Sequence, residues 1–189
     1  MGYSTDLYGS LEFNKPVTEE LKSYINKFGE TRRMKRDVEK LKEIFPNWKD
    51  FCFNGNLGPD GAYFIGGKGF FGQDSDDSVI EYNYPPSGQP GLWCQWIING
   101  DKLEWDGNEK FYHYTEWLEY LISHFFEPLG YVLNGEIEWQ GEEYDDFGTI
   151  CVTDNQVTEK YGIRISSMED LETDVLIQEL ENRGYTVSK

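Results

Sequence analysis

Residues 92–141 read LWCQWIINGDKLEWDGNEKFYHYTEWLEYLISHFFEPLGYVLNGEIEWQG, and five of the chain's six tryptophans lie in them. Leu92 to Ile98 is apolar, β-branched and aromatic. Asn99-Gly100 follows, the pair that most readily takes the positive φ angles of a tight hairpin turn. Lys102 to Asp106 alternate polar and apolar, the period of a strand with one wet face. From Phe111 to Phe126 the period changes. Tyr114, Trp117, Leu118, Leu121, Ile122 and Phe125 fall at helical spacing, and Pro128 with Gly130 ends the run. Tyr131 to Glu142 is strand again, with Leu133, Ile137 and Trp139 on one side and Glu136, Glu138 and Gln140 on the other. Hairpin, helix and returning strand predict an α+β fold: a mostly antiparallel sheet with helices packed on one face.

The flanking sequence extends that pattern. Residues 3–13 alternate Leu7, Leu11 and Phe13 against Asp6, Tyr8, Ser10 and Glu12, a further strand. Thr18 is a good N-cap for a helix with Leu21, Tyr24, Ile25 and Phe28 inward and Gly29 as its stop. Asp37 caps a second, short helix with Val38, Leu41, Ile44 and Phe45 facing in, halted by Pro46. Residues 54–74 are glycine-rich and read as loop, apart from a strand over Ala62–Ile65; 74–91 is a long connection with a short strand near Val79. Thr149–Thr153 and Val157–Tyr161 are strands around an Asp154-Asn155 turn, and Met168 to Arg183 is an amphipathic helix. The expected organisation is one α+β domain over residues 1–165, with residues 166–189 as a helical appendage.

Charge is unevenly spread. Residues 1–50 hold ten Lys/Arg against nine Asp/Glu; the remainder hold seven against twenty-six, for a net charge of −18. Such a surface repels nucleic acid and anionic membranes and attracts basic partners. No apolar run is long enough to span a bilayer, and MGYSTDLYGS lacks the pattern of a secretory signal. Cys52, Cys94 and Cys151 are far apart and odd in number, as expected of buried thiols in a reducing cytoplasm.

Several short motifs lack their required context. Gly67-Lys68-Gly69-Phe70-Phe71-Gly72 matches a dinucleotide-binding pattern, but polar, acidic residues follow where a helix must begin. Asp146-Phe147-Gly148 spells a kinase tripeptide in a chain too short for a kinase. Asp74, Asp76 and Asp77 resemble the start of a calcium loop, yet Val79 and Pro85 stand where Gly and Glu are needed. On one continuous helix His113 and His124 would lie about 16 Å apart, too far to share a metal. No nucleophile elbow occurs. The sequence therefore assigns no catalytic residue, no metal ligand and no cofactor.

Two constellations remain. Glu12, Glu104, Asp106, Glu136 and Glu138 fall on one side of their strands, with Lys102 as the only cation among them. If those strands are neighbours, like charges oppose each other unless a cation or basic partner docks there. Arg32, Arg33, Lys35 and Arg36 form the one basic cluster, able to hold a phosphate or other anion with Tyr82, Tyr84 or Trp93 as stacking rings.

GQPGLWCQW (88–96), LEWDGNEKFYHYTEWLEYLI (103–122), GYVLNGEIEWQGEEYDDFG (130–148) and the ETRRMKRD segment together resemble blocks of a family of small acidic bacterial and phage proteins. The resemblance spans roughly residues 1–160. It implies a microbial or phage origin, a cytoplasmic setting and one domain, and carries over no activity or catalytic residue. The expected function is thus non-catalytic: an acidic interaction protein, of the kind a phage or bacterium uses as an inhibitor, presenting a nucleic-acid-like negative surface to a basic protein. The glutamates above and the loops 74–77 and 142–146 would carry it. The alternative is a binder of nucleotides or other small anions, or a metal-assisted nucleotide hydrolase, built on residues 32–36. Neither direct nucleic-acid binding nor membrane association is expected, and the sequence leaves oligomeric state open.

Overall fold

In the computed structural model, which describes residues 2–69, 72–162 and 173–182, one six-stranded antiparallel sheet organises the chain. Its strands are β1 (Thr5–Phe13), β4 (Trp96–Asn99), β5 (Lys102–Trp105), β6 (Leu133–Gly141), β7 (Phe147–Thr153) and β8 (Gln156–Tyr161). Their order is β4-β5-β1-β6-β7-β8. The hairpin of residues 92–105 and the returning strand of 133–141 therefore flank β1, which links them at the centre. A two-stranded ribbon, β2 (Lys35–Arg36) with β3 (Val79–Glu81), stands apart.

One sheet face is apolar. Leu7, Leu11, Phe13, Leu103, Leu133, Ile137, Trp139, Ile150 and Val152 are all buried in the main core. Two helices cover that face. Helix α1 (Glu19–Gly29) contributes Leu21, Tyr24, Ile25 and Phe28, and Thr18 caps it by accepting from the Leu21 amide. Helix α3 (Tyr114–Leu121) contributes Trp117, Leu118 and Leu121 and widens into one π turn over Ile122–Phe126, which buries Phe125 and Phe126. A second small core of Leu41, Cys52, Leu57 and Phe64 forms under helix α2 (Val38–Ile44). Helix α4 spans Thr173–Asn182; the predicted apolar positions Met168 and Leu171 lie outside the described residues. Among the described residues no helix is long and apolar enough to cross a membrane.

Local chemistry moved several expected boundaries. Asn99 pairs with Lys102, so the tight turn is Gly100-Asp101, one residue later than the dipeptide suggested, with Gly100 at φ +60°. A glycine in the first central position suits a two-residue hairpin loop as well as Asn-Gly does. Strand β4 starts only at Trp96. Ala62–Ile65 is not a strand: its backbone turns to give the Ala62 carbonyl to Arg33 and Gln89 and the Ile65 amide to Phe51. Gly29 is the last helical residue rather than a left-handed stop; a Cβ there would stand 3.2 Å from the Cys94 carbonyl oxygen and 3.4 Å from that of Trp96, so glycine allows α1 to lie close along β4. That contact is sealed by Asn26. Its side chain donates to the Ile98 carbonyl (3.1 Å) and accepts from the Ile98 amide (2.7 Å), as a neighbouring strand would. Of the cysteines, Cys52 and Cys94 are buried but Cys151 is half-exposed, because β7 turns it to the polar face of the sheet.

Candidate functional site

Opposite the core, the sheet presents its other face, where Tyr8, Glu12, Lys102, Asn134, Glu136 and Glu138 are exposed. The register sets the order of its side chains. Glu12 is opposite Lys102 on β5 and Asn134 on β6. Ser10 pairs with Glu136, and Tyr8 with Glu138. Continuing the β1–β5 register brings Glu104 level with Ser10, so Glu104 and Glu136 flank that serine about 10 Å apart, two strand spacings. Farther on, Glu136 faces Cys151 and Glu138 faces Thr149, itself opposite Lys160. Four of the five predicted glutamate and aspartate positions, Glu12, Glu104, Glu136 and Glu138, thus share one surface.

The expected like-charge confrontation does not arise. Every one of these carboxylates meets a neutral side chain or a lysine across the ladder, which removes the repulsion that directly opposed charges produce. Lys102 sits 3.0 Å from Glu12, and Asn99 donates to Glu104 at 2.8 Å. Lys160 joins Lys102 as a second cation on the face, so Lys102 is not the only one. The Cys151 thiol lies 3.6 Å from Glu136; burial first, then that negative neighbour, raises its pKa. Glu136 and Glu138 have no cation beside them in any ion pair of the described residues.

Asp106 departs from the group. It stands past the end of β5, where it accepts from the Asn108 amide (2.8 Å) and side chain (2.7 Å). Desolvation raises its pKa against the pull of those bonds. It lines a cavity of about 620 Å³ together with Glu30, Trp93, Gln95, Glu109 and His113. These residues come from three separate stretches, 29–30, 90–95 and 106–113, so no local spacing announces them; the one hint is that LWCQ fails to alternate and the strand begins late.

The basic cluster is drawn inward and divided. Segment 32–37 runs beside the 78–92 loop, with the Arg33 amide on Leu92, Lys35 on Tyr84 and Asp37 on Ser78. A register shift between Lys35 and Arg36 breaks simple alternation. Arg33 is buried over the Phe28 ring, donating to the Ala62 carbonyl (2.8 Å) and Gln89 (3.3 Å); burial lowers its pKa to about 10. Arg36 is buried against Asp76 (2.8 Å) and Ser78 (2.7 Å). Lys35 reaches Asp60 at 3.4 Å. Arg32 lies over Tyr82, one of the three rings expected to stack on a bound anion, and bonds its carbonyl and Asn83. Four cations that adjoin in sequence therefore point to four different internal partners. The physical reason is the acidic 60–77 segment, where Asp60 and Asp76 supply counter-charges at short range.

Other acidic and histidine positions find partners inside the chain. Asp76 serves Arg36 and the Ser78 turn, and its carboxyl lies below the usual range because those bonds outweigh burial. In loop 142–146, Glu142 accepts from the Ser4 amide at 2.8 Å and Asp146 accepts from the Tyr3 hydroxyl. His113 precedes α3 in a left-handed conformation and sits 3.5 Å from Glu116, while His124 stacks on Tyr120 in the π turn. The two histidines are thus not on one continuous helix. Among the described residues no three His, Cys, Asp or Glu side chains converge as metal ligands do. Compared with known proteins, the chain matches no family model and shows no significant similarity to a curated protein or a solved structure.

Proposed function

We propose that this chain is a non-catalytic interaction protein of the cytoplasm that presents its polar sheet face to a basic protein partner. The observation that supports the reading is the convergence of Glu12, Glu104, Glu136 and Glu138, from four sequence positions on three strands, onto one rigid surface. A sheet fixes those anions at set spacings: about 7 Å between Glu136 and Glu138 along the strand, and about 10 Å across to Glu104. Fixed charge on a rigid support loses little entropy on binding and imitates the charge, though not the bases, of a nucleic acid. The net charge of −18 adds long-range attraction for a basic partner. A phage or bacterial inhibitor of a nucleic-acid-binding protein is the role this surface fits. An anion-binding role on residues 32–36 is the less favoured reading, since these side chains already engage Asp60, Asp76, the Ala62 carbonyl and the Tyr82 ring.

The test compares two double reversals of equal charge. Glu136→Lys/Glu138→Lys alters the face; Glu39→Lys/Glu43→Lys alters the remote helix α2. Basic proteins captured by the wild-type chain at low salt are identified and their affinities measured against both variants. The reading expects at least a tenfold loss for the face variant, a small loss for the α2 variant, and weakening with salt. Equal losses for both would reduce the effect to bulk charge and remove the site.

A further inference from the structure

The two edges of the six-stranded sheet are finished differently. At β4 the outward amide and carbonyl of Ile98 are taken by Asn26. At β8 the outward groups stay open. The tight Asp154-Asn155 turn makes Thr153 and Gln156 a pair that exchanges both backbone bonds. The ladder then alternates through Thr158 and Lys160 to the bond from the Gly162 amide to the Phe147 carbonyl. The amides and carbonyls of Val157, Glu159 and Tyr161 therefore point away from β7, and among the described residues no backbone bond reaches them. Such a row is a template for another strand.

The same residues turn their side chains to the core side of the sheet. Val157 packs on the main core, Tyr161 lies edge-on to Trp139, and Glu159 stands opposite the buried Ile150. Burial raises the pKa of Glu159. Facing it are the Tyr114 hydroxyl at 3.4 Å, Thr115 and Glu116 from α3, and Tyr161 from its own strand; Asp146 acts on those two tyrosines, and His113 is engaged with Glu116. Glu159 takes part in no ion pair of the described residues. An inward-pointing charge guards an exposed edge, because a second strand closing over it desolvates it further.

Self-pairing of β8 has few registers, since outward groups meet only outward groups. Glu159 against Tyr161 of a second copy sets Lys160 against Lys160. Glu159 against Val157 leaves Tyr161 opposite Asn155, past the strand. Glu159 against Glu159 uses every outward group and sets Val157 against Tyr161, an aromatic with a β-branched residue, and Thr158 against Lys160. Its one fault is the opposed carboxylates, with Cα atoms about 5.5 Å apart. We propose that β8 joins antiparallel to β8 of a second copy in this last register, and that the charge on Glu159 holds the two copies apart. Tyr161, 72 % exposed, is free to make the new contact. Opposed residues share a face, so the joined sheets carry both acidic faces on one side. The proposal rests on the edge alone and does not depend on the role proposed for that face.

Sedimentation velocity of the full chain at neutral pH measures the association, with circular dichroism to check each fold. Glu159→Gln should dimerise with an affinity about tenfold or more above wild type, and Glu159→Lys, which restores opposed charges, should not. The register is tested in the Glu159→Gln background. Thr158→Glu should tighten the dimer by facing Lys160, although it adds negative charge to a chain of net charge −18, and Thr158→Lys should loosen it. Wild type carries a test without any substitution at the edge. As pH falls towards, but stays above, the isoelectric point near 4.4, a dimer should form, and Glu159→Lys should remain monomeric. A Glu159→Gln affinity no higher than that of wild type, loosening by Thr158→Glu, or equal acid response of wild type and Glu159→Lys would each overturn the proposal; should Glu159→Gln fail to fold, the pH series decides.

Discussion

Replacing Asn26 by Ala isolates the closure of the β4 edge. Asn26 alone supplies the partners of the Ile98 amide and carbonyl on the side away from β5, at 2.7 and 3.1 Å, and Ile98 is 1 % exposed. Leaving a buried backbone donor or acceptor unsatisfied costs about 1–3 kcal/mol each. Asn26 itself is only partly buried, so water recovers some of that loss and the lower half of the range applies. The expected destabilisation is about 2–4 kcal/mol, which for a chain of this size lowers Tm by about 5–15 °C. Asn26→Asp keeps an acceptor for the amide but sets a second oxygen against the Ile98 carbonyl, so it should lose stability as well. Ser23→Ala, at an exposed position of α1, serves as the control and should change Tm by no more than about 2 °C. Thermal melts by circular dichroism measure the series, and size-exclusion chromatography detects any pairing through the opened edge. If Asn26→Ala melts with the Ser23→Ala control, the side chain does not close the strand and the reasoning is wrong.

Other outcomes follow from the buried charges and the thiols. Asp76→Asn leaves the buried Arg36 without its carboxylate and should cost about 2–4 kcal/mol in urea unfolding at neutral pH, against under 1 kcal/mol for Glu39→Gln in the exposed pair with Lys42. Because the folded-state pKa of Asp76 is depressed, its contribution is complete above the ordinary aspartate range near pH 4 and is lost as pH falls through the lowered value, so the gap to Asp76→Asn should narrow there. In the native protein one thiol of the three, Cys151, should react with a disulfide reagent, slowly at neutral pH and faster as pH rises. Glu136→Gln should speed that reaction by removing the adjacent negative charge; reaction of Cys94 at a similar rate would contradict its burial.

The sheet was largely legible because its strands obey a strict period of two. Leu7–Phe13, Leu133–Trp139 and Thr149–Thr153 each state which side is wet, and adjacency then followed from hairpin turns such as Asp154-Asn155, where both residues take positive φ. That Glu12, Glu104, Glu136 and Glu138 lie on the polar side of their strands was legible for the same reason; that β1 sits between β5 and β6 and so brings them together was not, because no hairpin joins those strands. The fate of residues 32–36 was not, because it depends on Asp60, Asp76 and Gln89, which approach only after the 54–91 loop has folded. Asp106 was misplaced with the other acids because alternation was continued past the last residue of β5, where the Asn108 turn already governs the backbone. Gly29 looked like a helix stop by residue type; only the nearness of β4 gave its real purpose.

The spacing of acids on the polar face also polices how β1 and β6 align. A slip of one residue would turn the core side chains outward and is barred by burial. A slip of two keeps leucines inward and is the dangerous error. In one direction it would set Glu12 against Glu136 and Asp6 against Glu142; in the other, Asp6 against Glu138. Only the native alignment gives Asp6 a glutamine, Tyr8 and Ser10 the two glutamates, and Glu12 an asparagine. Mutual repulsion among carboxylates thus acts as a proofreader of strand assembly, so neutralising these residues one by one should broaden the set of folded alignments before it lowers the melting point.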